Sequence, residues 1–289
     1  MTKDLTSMYA ELDSLNKKYS RKNLINYAGA KTHGCQHIIP LLPHTDRYIE
    51  VFGGTGIILQ TRKKSKFEVF NDIDSDLINF FKCVQDNDKY YAMMEFLNFA
   101  PHSRELFSEY KEKISTAKDV ERAGMWYYLR VYSFGGLGRN FGRDLGPKGS
   151  TPGRLFTKLQ QFGDLHKRFR NVQIERLDWF KCMTDYDHID SVFYLDPPYL
   201  LTDQSAYSGK ASIGLHEEIL NTIFETKGFV AISSYHNDLY DSKDWDDIHE
   251  WDHFVSIESV NNEQNTKKGI ASKRSHNKEV LYIKGANNE

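Results

Sequence analysis

The sequence predicts an α/β fold, a doubly wound and mostly parallel sheet interrupted by one helical insertion. Three observations carry that prediction. Seven short apolar or β-branched runs recur along the 289 residues, at 47–52, 66–71, 172–177, 191–196, 228–233, 254–260 and 279–284. Several are apolar at consecutive positions, as strands covered on both faces are. Helical patterns at 57–62, 76–84 and 216–226 lie between them, and regular alternation of strand and helix belongs to a parallel sheet. From about 85 to 171 the alternation stops. Helical segments there follow one another and end in a Gly/Arg-rich stretch. The last two strands have no helix between them, which predicts an antiparallel edge.

Composition bounds the rest. Hydrophobic residues at 39% and charged residues at 27% support a sizeable core and exclude global disorder. The N-terminal segment places Leu5, Met8, Tyr9, Leu12 and Leu15 at helical spacing, with no signal peptide or long apolar span. Cys35, Cys83 and Cys182 are far apart and form no CxxC, as in a reducing compartment. A cytoplasmic protein is expected, with a monomer as the default state and a dimer as the alternative. The net charge of −2 excludes a purely electrostatic nucleic-acid binder. Charge is uneven, however. Between Arg130 and Arg176 ten Lys/Arg face three Asp/Glu, a local excess of seven, whereas Glu225 to Asp252 holds eight acids and two lysines.

The first strand runs into Glu50-Val51-Phe52-Gly53-Gly54-Thr55-Gly56, a glycine turn leading into a helix. Glycines there let a ligand approach the backbone. One helix later the second strand ends in Asn71-Asp72-Ile73-Asp74, where a carboxylate can accept both ribose hydroxyl hydrogens. A structural reading stands beside this one, in which the turn is only a turn and Asp74 or Ser75 caps the next helix. The two acids can divide both jobs. Asp72, Asp74 and Asp76 imitate a calcium loop, but Leu77 and Cys83 occupy its glycine and glutamate positions. His33, Cys35 and His37 alternate in a glycine-containing loop with no second cluster, so no metal site is expected.

The fourth strand ends in Asp196-Pro197-Pro198-Tyr199. The prolines fix φ and remove backbone donors, which stiffens the outward carbonyls. A carboxylate, rigid carbonyls and an aromatic ring suit methylation of an amino group on a flat ring. A rigid strand exit with Tyr199 as a packing residue is the alternative.

In order, Asn26-Tyr27-Ala28-Gly29-Ala30-Lys31, Glu50–Gly56, Asn71–Asp74, Asp178-Trp179-Phe180, Asp196–Tyr199 and Lys278-Glu279-Val280-Leu281-Tyr282-Ile283 resemble the Dam-type, D12-class (alpha group) DNA adenine-N6 methyltransferases. The resemblance runs from about residue 24 to 284. It implies a class I, Rossmann-like methyltransferase fold using S-adenosylmethionine (AdoMet). Residues 1–84 and 172–289 would form the catalytic domain and 85–171 an inserted target-recognition domain. It also implies double-stranded DNA as partner, base flipping, and a place in restriction–modification or in a bacterial or phage-infected cell. Tyr27, Lys31, Glu50, Phe52, Gly54, Thr55, Gly56, Asp72, Asp178, Trp179 and Asp196 match cofactor positions. Asp196, Pro197, Pro198 and Tyr199 match the catalytic motif, and Tyr207 and Ser233 fall on weaker downstream motifs. Phe134-Gly135-Gly136-Leu137-Gly138-Arg139 resembles the DNA-contacting segment. Lys31, Phe134, Arg139, Asn140, Arg143 and Arg154 are the DNA-binding candidates.

The chain departs from the family pattern at Val51 for proline, Ala30 for glycine and Gly135 for asparagine. The last removes a polar contact, so the family's target sequence does not carry over. Three rival functions remain beside this one. They are RNA or protein-glutamine methylation, a catalytically silent DNA-binding homologue, and a dinucleotide oxidoreductase, whose GxGxxG spacing is absent.

Overall fold

The computed structural model describes residues 24–27, 29–32, 34–143, 152–200, 212–254 and 276–285, with the side chains of 253, 254, 276 and 277 excepted. The amphipathic N-terminal segment, His33, Lys148 and Tyr207 lie outside the described residues. A seven-stranded sheet organises the rest. Its strands are β1 (Arg47–Glu50), β2 (Phe67–Asn71), β3 (Gln173–Glu175), β4 (Ser191–Leu195), β5 (Phe229–Tyr235), β6 (Asp247–Phe254) and β7 (His276–Lys284). They lie in the order β3-β2-β1-β4-β5-β7-β6. The first five are parallel, and β7 runs antiparallel to both β5 and β6.

The connecting helices are α1 (Cys35–Ile38), α2 (Ile57–Thr61), α3 (Ser75–Gln85), α4 (Asn87–Asn98), α5 (Arg104–Lys113), α6 (Asp119–Tyr132), α7 (Arg154–Leu159), α8 (Phe162–Phe169), α9 (Trp179–Asp185), α10 (Ile213–Glu225) and α11 (Asp238–Asp241). The β1–β4 pair shows why the central runs read as continuously apolar. Tyr48, Val192 and Tyr194 enter one core with helices α3 to α8, while Ile49, Phe193 and Leu195 enter the other with α9, α10 and Trp245. Both faces are covered, so no alternation is required. Helices α4 to α8 share the first core with the sheet through Phe80, Phe81, Tyr127 and Phe162.

One predicted strand shifts. The run at 254–260 was expected to form a strand, but β6 is Asp247–Phe254 and overlaps it only at Phe254, with 255–260 outside the described residues. The physical reason is edge position. β6 pairs only with β7, and its Asp247, Glu250 and Asp252 face solvent on a strand that needs few apolar positions. The expected antiparallel edge is present, with β7 inside it and β6 outermost.

Helix α8 is tied to the sheet by charge. The buried Arg168 guanidinium donates to both Glu68 carboxylate oxygens on β2 (2.5 and 2.8 Å) and to the Leu59 carbonyl. Arg62 adds a longer contact to Glu68 (3.4 Å). Removing one partner of such a pair strands the other in a dry interior. Arg168→Ala is expected to lower unfolding stability by about 3–5 kcal/mol in urea titration. A loss under about 1 kcal/mol, as for an exposed pair, would contradict this reading.

Candidate functional site

Strand order reverses between β1 and β4, since the chain moves from β1 toward β2 on one side and from β4 toward β5 on the other. In such sheets the crevice at the carboxyl ends of the two diverging strands is where ligands sit. Both sequence motifs end there. At the end of β1 the Val51 N–H donates to the Tyr194 carbonyl of β4 (3.1 Å), a bond the proline expected at this place has no hydrogen to make. The glycine turn is built by close packing. A β-carbon on Gly53 would fall 2.3 Å from the Phe70 ring, and Gly54 and Gly56 hold positive φ of 49° and 64°. The Tyr27 ring covers Gly54, 3.9 Å from where its β-carbon would stand. Thr55 is buried and Phe52 half-buried beside them.

Glu50 is buried at the foot of the turn, where its Oε2 accepts from the Tyr48 hydroxyl (2.9 Å) and the Leu59 N–H (2.8 Å). Desolvation nonetheless pushes its carboxyl up to about 8, and the charge of Asp196 adds to the rise.

The two acids after β2 do divide their jobs. Asp74 caps α3, accepting from the Asp76 and Leu77 N–H groups (2.9 and 3.3 Å). Its other oxygen receives the Tyr27 hydroxyl (3.1 Å). Asp72 braces the glycine turn, accepting from Gly54 N–H (2.9 Å) and Asp74 N–H (2.9 Å). Burial pushes Asp72 up to about 6 against those bonds. Asp76, the third acid of the calcium-like series, pairs with Arg122 at 2.6 Å.

Asn71 draws the third motif in. Its buried amide donates to the Val51 and Leu177 carbonyls and accepts from Leu177 N–H (2.9, 3.2 and 2.7 Å). Asp178 is thereby held beside the glycine turn, where it caps α9 by accepting from Phe180 N–H (3.0 Å). Trp179 is half-buried, and Ile73 and Phe180 are each 53% exposed, unusual for apolar side chains.

At the end of β4 the four-residue motif meets a buried charge cluster. The Lys31 ammonium lies 2.7 Å from Asp196 Oδ1 and 3.2 Å from Glu279 Oε1. The Tyr199 hydroxyl donates to the same Glu279 oxygen (2.6 Å), and the ammonium stands 4.8 Å over the Tyr199 ring. Tyr235 meets that ring edge-on at 4.8 Å. Burial raises the Asp196 carboxyl above its ordinary range and Glu279 adds to the rise, while Lys31 opposes it. Ser233 shares a hydrogen bond with the Tyr194 hydroxyl (2.9 Å). Pro197 is buried. The Pro198 carbonyl accepts from His216 Nε2 (3.0 Å), which leaves Nδ1 to accept from the Tyr240 hydroxyl (2.7 Å). Glu279 and His216 were not among the site candidates. A lone acid in an apolar strand was the available signal for the first. A histidine on an apolar helix face gave none for the second.

The basic insertion is less basic at its surface than in its sequence. Arg168 is sunk in the pair with Glu68. Lys158 donates to the Leu24 carbonyl (3.0 Å), and desolvation lowers it to about 8. Arg130 covers Tyr27 at 4.8 Å, and the half-buried Arg154 reaches the Val131 carbonyl (3.4 Å). Arg139, Asn140, Arg143, Lys167, Arg170 and Arg176 are exposed. Phe134, at 62% exposed, heads a loop closed by mutual backbone bonds, Phe134 N–H to Asn140 O and Gly142 N–H to Tyr132 O. Gly136 packs this loop on Asn26, since a β-carbon there would fall 2.5 Å from the Asn26 side chain. Gly135 has φ +64°, a region that glycine and asparagine both reach, so its replacement of asparagine keeps the turn and deletes a side chain.

A family model described as D12 class N6 adenine-specific DNA methyltransferase matches residues 27–266, more than four-fifths of the chain. No curated protein matches it.

The Glu50 geometry has a pH signature. The folded chain keeps a proton that the unfolded chain releases above its ordinary value of 4.5, so this group's contribution falls as pH rises from there to about 8. Glu50→Gln is therefore expected to gain stability relative to wild type as pH rises from about 5 to about 8 in urea titrations. A difference that stays constant over that range would contradict a buried, neutral-leaning carboxyl.

Proposed function

Because the chain belongs to the D12 class of N6 adenine-specific DNA methyltransferases, which transfer a methyl group from AdoMet to adenine N6 in DNA, we propose that the crevice between β1 and β4 is where that transfer occurs. The observation that carries this reading is the convergence of Asp196 and the Gly53–Gly56 turn on the one point where strand order reverses.

The residues present fit the cofactor. Gly54 at positive φ under the Tyr27 ring provides a cradle for a ligand, and Asp72 stands beside it with a carboxylate that has room for further donors. In this reading Asp72 accepts the ribose hydroxyls. Asp178 and Trp179, flanked by exposed Ile73 and Phe180, take the adenine. Glu50, Phe52, Thr55 and Gly56 shape the floor, and Lys31 borders it. Bound AdoMet supplies an electrophilic methyl group on a positive sulfonium.

The protein's own part is to prepare the amino group. The N6 lone pair is delocalised into the purine ring, which makes it a poor nucleophile. Asp196 accepts one N6 hydrogen and the Pro197 carbonyl the other, favouring a tetrahedral nitrogen aimed at the cofactor side of the crevice. Lys31 opposes the desolvation that raises the Asp196 carboxyl, and the carboxylate form stabilises positive charge building on nitrogen. The target adenine leaves the duplex to reach this buried site. Tyr199 stacks on it, an interaction of roughly 1–3 kcal/mol by comparison with other base–aromatic contacts. The 85–171 region acts as the target-recognition part. Phe134 wedges the duplex, Arg139, Asn140 and Arg143 approach bases or phosphates, and Arg154 supports the loop from beneath.

Asp196→Ala is expected to abolish tritiated methyl transfer to DNA while leaving AdoMet affinity near wild type, and Asp72→Ala is expected to do the reverse at the binding step. Near-native turnover of Asp196→Ala would refute the mechanism. DNA affinity should fall steeply with salt, and Arg139→Ala and Arg143→Ala should each reduce the log–log slope by roughly one. A flat salt response would argue against phosphate tracking by this loop.

A further inference from the structure

The charge cluster at the end of β4 holds one cation and two carboxylates. Lys31 is 2.7 Å from Asp196 and 3.2 Å from Glu279, and all three side chains are at most 17% exposed. Glu279 comes from β7, the strand whose register sets it opposite Tyr235 at the carboxyl end of β5. The antiparallel insertion of β7 thus carries an acid into a crevice otherwise built by parallel strands. Its Oε1 also receives the Tyr199 hydroxyl at 2.6 Å, fixing the ring that closes the motif.

The proposed reaction brings an amino nitrogen that gains positive charge onto Asp196, whose Oδ1 the Lys31 ammonium already holds, so two positive groups would press on one carboxylate. An ammonium driven off a buried carboxylate with nowhere to go would be an unpaired buried charge, and its cost would fall on catalysis. Glu279 removes that cost, because the ammonium already lies within reach of its oxygen and needs to move little to pair there. A second anion in the cluster also leaves it net negative, which favours the positive charge that develops on N6.

Resting on the function proposed above, we propose that Glu279 is a positioning residue for methyl transfer. It shares Lys31 with Asp196, receives the ammonium when the target amino group engages Asp196, and holds the Tyr199 ring in its stacking plane.

Glu279→Gln keeps the shape and an acceptor for the Tyr199 hydroxyl but removes the charge. The decisive readout is the single-turnover rate of N6-methyladenine formation against pH, with saturating DNA and AdoMet. The groups acting on Asp196 are Lys31, Glu279, Tyr199, Tyr194 and Glu50. Of these the substitution removes only the Glu279 charge, which disfavours ionised Asp196. The acid limb of the rate profile should therefore move to lower pH in Glu279→Gln. The plateau rate should fall about 10- to 100-fold, the scale of one hydrogen bond to a charged group. AdoMet affinity should stay within about twofold of wild type, since Glu279 lies in the base subsite.

A wild-type plateau with an unmoved acid limb would overturn the proposal. So would a reduced plateau with an unmoved limb, the mark of a merely structural role. Should Glu279→Gln fail to fold, Glu279→Asp sets the charge back by one methylene, and the expected result is a lower plateau with the acid limb moved part of the way to lower pH, whereas an unmoved limb would overturn the proposal. A wild-type plateau there would again overturn it. These outcomes presuppose that wild-type protein forms N6-methyladenine in DNA. Its failure to do so sinks the functional reading itself, independently of Glu279.

Discussion

One buried ammonium organises the end of the crevice. Asp196 and Glu279 are neighbouring buried carboxylates, and burial raises the Asp196 carboxyl above its ordinary range. Lys31 opposes this for Asp196 and touches both at once. The segment that carries Lys31 cannot move independently, because the Cys35 N–H is bonded to the Lys31 carbonyl and Tyr27 is pinned to Asp74. Tyr27, Lys31 and Cys35 therefore connect helix α1, the glycine turn, the acidic end of β2 and the four-residue motif after β4.

That segment also meets the insertion. Arg130 covers Tyr27, the Asn26 amide donates to the Arg130 carbonyl (3.4 Å), and Gly136 packs on Asn26. The loop bearing Phe134 and Arg139 thus packs on the same chain segment that leads to Lys31. The sheet and residues of the 85–171 region share the first core, which stiffens this contact.

Much of this was legible in the sequence. Strands β1, β2, β4 and β5 announced themselves as apolar runs, because burial on both faces leaves no alternative composition. The glycine turn, the acidic strand end and the proline motif could be ordered along the chain, and the sheet brings them to one edge. Strand β6 was misplaced because an edge strand tolerates the acids that disguised it. The surface charge of the insertion was overstated because a count cannot distinguish Arg168, buried against Glu68, from exposed Arg143. Glu279 and His216 were missed for a related reason. Their roles depend on which distant element they face, namely Lys31 and Tyr199 for one and Pro198 and Tyr240 for the other. Antiparallel insertion of β7 and the packing of α10 create those neighbours, so the lone acid in an apolar strand marks Glu279 without naming its partners, and nothing local marks His216.

In the proposed reaction donor and acceptor meet between β1 and β4, with the Asp196 carboxylate facing the donor atom. A crystal structure with an AdoMet analogue that carries an amine in place of the sulfonium tests this most directly. The expected structure has the analogue's ribose on Asp72, its adenine beside Asp178, and the amine turned toward Asp196 with one purine's width of space before it. An analogue bound elsewhere, or Asp196 on the far side of a closed wall, would contradict it.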